Sequence, residues 1–197
     1  MKRDWENLLL AEERGIKSLR FYTWRDRTLS IGYSQELLEL PIKIVKRPTG
    51  GGALLHGWDV SFSYAGQREE WGGSFARIYT NFMDLLLEVF REVDRSFEMS
   101  RYRGSYENYF CYFYPTLGEI TLRGKKVVAC AMRLMKSSFL LHGSLFWDMD
   151  YKYFEGLTGI GAEGLRERII TLKELGLKEG DVLELLRTFY CKIKPCP

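Results

Sequence analysis

The spacing of apolar and polar positions predicts strands in the middle of the chain and helices near both ends. The clearest helix begins after Ser74, a residue type typical of helix N-caps. Its apolar residues recur at three- and four-residue spacing: Phe75, Ile78, Phe82, Leu85, Leu86, Val89 and Val93. This pattern indicates one apolar face that packs against the rest of the protein.

The remaining pattern predicts several short elements. Further helices are expected over residues 4–14, 171–175 and 181–190. Runs rich in β-branched and aromatic residues, bounded by polar turns, predict strands over residues 19–24, 28–34, 42–46, 53–64, 109–114, 118–122, 127–134 and 139–147. We therefore expect an α+β fold with a mostly antiparallel sheet flanked by helices.

Composition narrows the class of protein. The 197 residues are 46% hydrophobic and 28% charged, which is the balance of a globular protein, and we expect a single domain over residues 1–197. A net charge of +3 without a Lys/Arg-rich run argues against a nucleic-acid partner. No apolar run approaches the ~18 residues that span a membrane, and the charged first residues do not resemble a signal peptide.

The cysteines bear on the presence of a metal site and on the cellular compartment. They stand at positions 111, 130, 191 and 196, without a CxxC pair or the histidine spacing of a zinc site. We therefore expect no metal site, free thiols and a cytoplasmic location.

A glycine-rich turn, residues 47–56, is the first candidate for chemistry. Gly50, Gly51 and Gly52 can adopt positive φ angles, and their backbone N–H groups could form a concave surface for a carbonyl or phosphate. The spacing differs from that of a Walker loop, and a simple tight turn explains the glycines equally well. His56, the last residue of this segment, is either a hydrogen-bonded residue at a strand edge or part of a functional site.

Cys111 and Lys126 form the second candidate. Cys111 lies in an aromatic run, where a cysteine is usually a small core residue. Lys126 opens an apolar segment, where a lysine usually extends to the surface. If Lys126 instead points into a pocket beside the thiol, its charge would lower the thiol pKa and stabilise a negatively charged carbonyl oxygen.

In combination, these segments resemble the superfamily of lipoate-protein ligases, biotin-protein ligases and octanoyltransferases. Residues 47–56 are similar to its R-x-x-G-G-x-A-x-x-H turn, and residues 28–35 to an early T-x-x-x-G-x-x-Q strand. Residues 124–133 and 141–144 resemble its lysine strand and the following H-G-S strand. Residues 170–176 resemble a T-x-L-x-E segment near its end. The motifs occur in order, and the resemblance implies a class II synthetase or biotin-ligase-like catalytic domain.

One branch of the superfamily matches best. Cysteine-dependent octanoyltransferases carry the nucleophile in a C-F-x-x-P-x-x-x-E context with a lysine fifteen residues on. Here Cys111 is followed by Pro115, Glu119 and Lys126 at the corresponding positions. The resemblance thus implies catalytic roles for Cys111 and Lys126 and no cofactor. It also implies a set of substrate-binding residues: Arg47, Gly50, Gly51, Gly52, His56, Ala129, His142 and Gly143.

The function that this branch implies is transfer of an octanoyl (or lipoyl) group from acyl carrier protein, through a Cys111 thioester, to a lysine of an acceptor. The acceptor would be a lipoyl domain or the glycine-cleavage carrier protein. Three alternatives remain: an ATP-dependent lipoate or biotin ligase, an octanoyl amidotransferase between lipoyl-accepting proteins, and a non-catalytic acyl-binding subunit. The expected lack of a C-terminal accessory domain favours a transferase. Met132 in place of a frequent glutamine, and Gly57 in place of a frequent aspartate after His56, depart from the family pattern.

Overall fold

The structure, a computed structural model, describes residues 1–102, 108–113 and 115–193. Within these residues the strands are β1 (Ser18–Tyr22), β2 (Thr28–Ile31), β3 (Lys43–Lys46), β4 (Leu54–His56), β5 (Val60–Gln67), β6 (Phe97–Met99), β7 (Ile120–Leu122), β8 (Lys125–Lys126), β9 (Val128–Leu134) and β10 (Ser138–Leu145). The α-helices are α1 (Lys2–Arg14), α2 (Phe75–Val93), α3 (Tyr151–Thr158), α4 (Ala162–Arg166) and α5 (Glu179–Ile193).

The strands form three sheets. The largest is antiparallel, in the order β1-β5-β10-β9. A second sheet, β3-β2-β4, contains a parallel pair of β2 with β3, and a third, β6-β7-β8, is antiparallel. The predicted α+β fold with a mostly antiparallel sheet is confirmed.

Helices pack on both faces of the largest sheet. Alternate residues of its strands point to opposite faces, so each face presents side chains to a different helix. On one face, Leu8 of α1 packs against Ala65 and Leu140. On the other, α2 and α5 pack against Phe62 and its neighbours to form the main core. The small residues on the α1 face leave room for a pocket, whereas the opposite face is filled by rings.

Helix α2 follows its sequence prediction closely. The Ser74 side chain accepts a hydrogen bond from the backbone N–H of Arg77, at 3.3 Å, and so caps the helix. Phe82 is fully buried, and its ring lies 5.9 Å from that of Phe62 and 5.4 Å from that of Phe189 in α5.

Two strand predictions are wrong in instructive ways. Residues 53–64 form two strands rather than one, because the turn at Gly57, with φ of 132°, separates β4 from β5. Residues 109–114 do not form a strand: Phe110 makes a single bridge to Ala53, and Cys111–Phe113 is a short 3-10 turn. Tyr114 lies outside the described residues.

One helix prediction is wrong, and the short helix α3 was missed. Residues 172–176 form only hydrogen-bonded turns, because the Glu174 carboxylate accepts from the N–H and hydroxyl groups of Thr171 and closes the segment on itself. Helix α3 was not predicted, although Asp150 caps it by accepting from the N–H of Tyr153 at 2.9 Å.

The cysteines are only partly as expected. Cys111 and Cys130 carry free thiols, and Cys130 packs against the main core. Cys191 is disulfide-bonded, so the expectation of free thiols is wrong there. Cys196 lies outside the described residues. None of the helices in the described part of the chain is both long and apolar enough to cross a bilayer.

The packing of α2 yields a stability prediction. We expect Phe82→Ala to lower the free energy of unfolding by about 3–5 kcal/mol, because it empties a fully buried ring site. Phe75→Ala on the same helix is the matched control, since Phe75 is 51% exposed, and its effect should stay below about 1 kcal/mol. Urea unfolding of both variants checks the difference, and equal losses would contradict this description of the core.

Candidate active site

A pocket opens on the α1 face of the large sheet, beside the glycine turn. The space between its walls is about 590 Å³, open solvent at its mouth included. All the predicted site residues except Gly50 line it: Cys111, Lys126, Arg47, Gly51, Gly52, His56, Ala129, His142 and Gly143. The structure therefore brings residues from distant parts of the sequence to one cavity.

Arg47 organises the glycine turn from within. Its guanidinium donates to the backbone carbonyl and the hydroxyl of Ser30, at 2.9 and 2.8 Å, and to the carbonyls of Gly50 and Gly52, at 3.1 and 2.8 Å. The side chain is buried, and its Nε atom has no hydrogen-bond partner among the described residues. No carboxylate of the described chain forms an ion pair with it.

Glycine is required at two points of this turn by close contacts. A Cβ atom on Gly52 would lie 2.9 Å from the backbone nitrogen of Cys111. A Cβ atom on Gly32 would lie 2.3 Å from the carbonyl oxygen of Gly51. Hydrogen bonds from the Ala53 N–H to Tyr109, at 2.8 Å, and from the Cys111 N–H to Ala53, at 3.0 Å, hold the two segments together. The turn therefore lies directly against the backbone of the candidate nucleophile.

Cys111 lines the pocket and is half-buried, with one side packed against a cluster of core residues. Tyr112 fixes the 3-10 turn that presents it: this ring is fully buried, and its hydroxyl donates to the Leu55 carbonyl at 2.8 Å and accepts from the Leu55 N–H at 3.1 Å. Burial raises the pKa of the Cys111 thiol above its ordinary value, and this exceeds the opposing effect of the Lys126 ammonium.

Lys126 does not extend to the surface but points into the pocket wall. Its Nζ atom lies 2.7 Å from Glu119 Oε2 and also donates to the carbonyl oxygen of Cys111. Lys126 is fully buried and Glu119 is 2% exposed. Glu119 also accepts from the N–H groups of Thr116, at 2.7 Å, and Cys130, at 3.2 Å.

Glu119 was not predicted as a site residue. Its spacing from Cys111 was the available signal, but spacing does not reveal that a carboxylate is buried beside an ammonium.

His56 is held by partners that the sequence left open. Its Nδ1 atom lies 2.8 Å from Asp59 Oδ2 and its Nε2 atom 2.7 Å from Ser30 Oγ, while its ring stacks on Trp24 with centroids 4.1 Å apart. Burial disfavours ionised Asp59, but the charge and hydrogen bond of His56 lower the pKa of Asp59 below its ordinary value. Asp59 thus supplies the acidic partner, three residues after His56, although Gly57 replaces the aspartate frequent in relatives.

His142 and Gly143 come from β10. The Nε2 atom of His142 lies 2.6 Å from Thr49 Oγ1, and its Nδ1 atom, 3.7 Å from Asp4 Oδ2, is too distant from it for a hydrogen bond. Burial lowers the pKa of His142. A Cβ atom on Gly143 would lie 2.5 Å from the carbonyl oxygen of Ala129, so no other residue fits there without a shift.

Comparison with known proteins places this geometry in a family. Residues 4–194 match the family described as the lipoyl protein ligase A/B catalytic domain. The chain belongs to that family. The resemblance drawn from the motifs is therefore confirmed.

Relatives within the lipoyl protein ligase A/B family include two proteins named octanoyltransferase LipM. The one from Carboxydothermus hydrogenoformans is 30% identical over 148 residues, covering 69% of this chain and 55% of that protein. The one from Brevibacillus brevis is 30% identical over 181 residues, covering 82% and 66%. The chain thus spans between half and two thirds of these relatives.

Among solved structures, a lipoate-protein ligase A bound with ATP superimposes with a TM-score of 0.75 at 18% identity, covering 96% of this chain and 78% of that one. This similarity confirms the predicted fold.

Among the described residues, no group of three or more histidine, cysteine, aspartate or glutamate side chains could hold a metal ion.

Asp4, on the pocket side of α1, gives a prediction for acid stability. Burial opposes its charge, but His142 and a hydrogen bond from Ser63 lower the pKa from 3.8 to about 2. Because the folded-state pKa is below the ordinary value, Asp4 stabilises the fold above about pH 4 and loses this effect as the pH falls towards 2. The contribution should be about 2 kcal/mol.

Urea unfolding of the protein and of Asp4→Asn, measured from pH 7 to pH 2, tests this. The difference in unfolding free energy should be largest at neutral pH and shrink below pH 4. A difference that stayed constant over this range would show that the carboxylate charge contributes nothing.

Proposed function

We propose that this chain is a protein octanoyltransferase of lipoate biosynthesis that carries the acyl group on Cys111 as a thioester. The observation that supports this most directly is the position of Cys111: it lines the pocket, its backbone lies against the glycine turn, and its carbonyl accepts a hydrogen bond from the buried Lys126. The proposed donor is octanoyl acyl carrier protein. The proposed acceptor is a lysine of a lipoyl domain or of the glycine-cleavage carrier protein.

The first half-reaction exchanges one thioester for another. Cys111 loses its proton, and the thiolate attacks the donor carbonyl carbon to form a tetrahedral oxyanion. When this collapses, the carbon–sulfur bond to the carrier breaks, and the departing thiolate takes up a proton. Because the bond that breaks and the bond that forms are of the same kind, the step is near balanced and requires no ATP.

The second half-reaction forms the amide. The acceptor amine, in its neutral form, attacks the carbonyl carbon of the Cys111 thioester. The tetrahedral intermediate then releases the Cys111 sulfur, which takes up the proton lost by the amine nitrogen. A thioester is more reactive than an amide, so this step runs towards the acylated lysine.

The glycine turn can supply hydrogen bonds to both oxyanions. The Gly50 carbonyl accepts from Arg47, and the Gly51 carbonyl lies against Gly32. In a trans peptide the N–H points opposite to the preceding carbonyl, so the N–H groups of Gly51 and Gly52 point away from these contacts. Both glycines line the pocket, where donors of this kind stabilise developing negative charge.

The contacts of Lys126 favour a transferase over an ATP-dependent ligase. In a ligase, this lysine would contact an acyl-phosphate. Here its ammonium is bound to the Glu119 carboxylate and the Cys111 carbonyl, so it holds the cysteine segment in place.

Acylation in the absence of ATP tests the proposal. Incubation with octanoyl acyl carrier protein should add one octanoyl group, labile to hydroxylamine, which intact-mass spectrometry detects. Cys111→Ala should abolish both this adduct and transfer to a lipoyl domain. Cys130→Ala is the matched control, because Cys130 carries a second free thiol beside the pocket among the described residues, and this variant should still be acylated.

A requirement for ATP together with activity that survives Cys111→Ala would establish a ligase instead. An octanoyl adduct that persisted in Cys111→Ala and disappeared in Cys130→Ala would move the nucleophile to the other thiol. No adduct and no transfer with or without ATP would contradict the proposed activity.

A further inference from the structure

The positive charge of Lys126 is balanced by the negative charge of the neighbouring Glu119. Its ammonium and the Glu119 carboxylate are 2.7 Å apart and almost fully buried. Seen from the Cys111 sulfur, this ion pair adds one positive and one negative charge at nearly the same place. The pair as a whole therefore exerts a small net field on the thiol, and the clearest role of Lys126 is its hydrogen bond to the Cys111 carbonyl.

Arg47 differs from Lys126 in this respect. It is 8% exposed, its four hydrogen-bond acceptors are neutral carbonyl and hydroxyl oxygens, and no carboxylate of the described residues pairs with it. A guanidinium stays charged in a protein, and a buried charge without a counter-ion is costly. Arg47 also holds Gly52, whose Cα lies against the Cys111 backbone.

We propose that Arg47 is the cation that stabilises negative charge at Cys111, and that Glu119 restrains the activating effect of Lys126. The anion that Arg47 lacks in the resting protein would form only during reaction, as the Cys111 thiolate and then as the tetrahedral oxyanion. This inference rests on the proposed function for the second of these anions, but not for the first.

The titration of Cys111 is consistent with this division. Burial raises the pKa of the thiol; of the charged groups, Lys126 lowers it, Glu119 raises it and Arg47 lowers it. The two members of the ion pair act with opposite signs and so offset each other in part, whereas Arg47 adds a lowering effect of its own, smaller than that of either member. The titratable and charged groups that face the thiol come from five segments of the described chain: Arg47, Tyr112, Glu119, Lys126 and Cys130. Burial raises the pKa of both Tyr112 and Cys130, so these two are neutral near pH 7.

The pH dependence of Cys111 alkylation by iodoacetamide, followed on the Cys111 peptide by mass spectrometry, tests the assignment without any acyl substrate. Arg47→Gln should raise the midpoint of the profile by about one pH unit, because it removes the uncompensated cation. Glu119→Gln should lower the midpoint by a similar amount, because it unmasks the Lys126 charge. The double variant Lys126→Met/Glu119→Gln replaces an ion pair of zero net charge by two uncharged side chains. It should therefore leave the midpoint within about half a pH unit of that of the parent protein.

Conservative variants separate charge from shape. Arg47→Lys keeps a cation and should keep the midpoint near that of the parent protein, whereas Arg47→Gln should not. If Arg47→Gln does not fold, the double variant decides, since a midpoint raised by removal of the Lys126–Glu119 pair would overturn the proposal. A profile unmoved by Arg47→Gln but raised by the double variant would assign activation to Lys126. If the profiles shift as expected and no acyl-enzyme forms, the Arg47 assignment stands and the proposed transferase activity fails.

Discussion

The site depends on the neutralisation of one buried ammonium group. Lys126 is fully buried, and a charge in that position is tolerated only when it is paired and hydrogen-bonded. Its two acceptors, the Glu119 carboxylate and the Cys111 carbonyl, belong to the segment before β7 and to the 3-10 turn. Glu119 in turn binds backbone N–H groups at Thr116 and Cys130. One ion pair thereby joins the lysine strand, the cysteine turn and the edge of the large sheet, which is why three distant segments meet at one pocket.

The same meeting of segments requires small residues. The backbone at Gly52 touches that of Cys111, and the backbone at Gly143 lies against Ala129. A side chain at Gly52 would push the glycine turn away from the cysteine segment, and one at Gly143 would clash with the neighbouring strand β9. The close approach of backbones therefore explains the glycines at these two positions.

The sequence predicted the parts of the fold that follow from periodicity. Helix α2 and the long strands β9 and β10 were foreseen because their apolar residues repeat at helical or strand spacing. The 3-10 turn at Cys111 was mistaken for a strand, because three successive aromatic residues look the same whether the backbone is extended or turned.

The family resemblance named residues that, apart from Gly50, line one pocket, but it did not name their partners. Asp59, Ser30 and Glu119 each bind a predicted site residue. They are ordinary polar residues in sequence, and only their burial distinguishes them. Burial of a polar side chain depends on contacts between segments far apart in the chain, which local pattern does not encode.

The hydrogen bonds around the pocket also suit it to the acyl chain of the proposed function, although polar residues line the cavity. The imidazole nitrogens of His56, the Ser30 hydroxyl and the Lys126 ammonium all bind protein partners, so they present little free hydrogen-bonding capacity to a ligand. Among described side chains, the buried polar atoms without a partner that lie at the pocket belong to Arg47 and His142. An apolar chain that ends in one reactive carbonyl suits such a surface, because the chain needs no hydrogen bonds and negative charge develops only at its end.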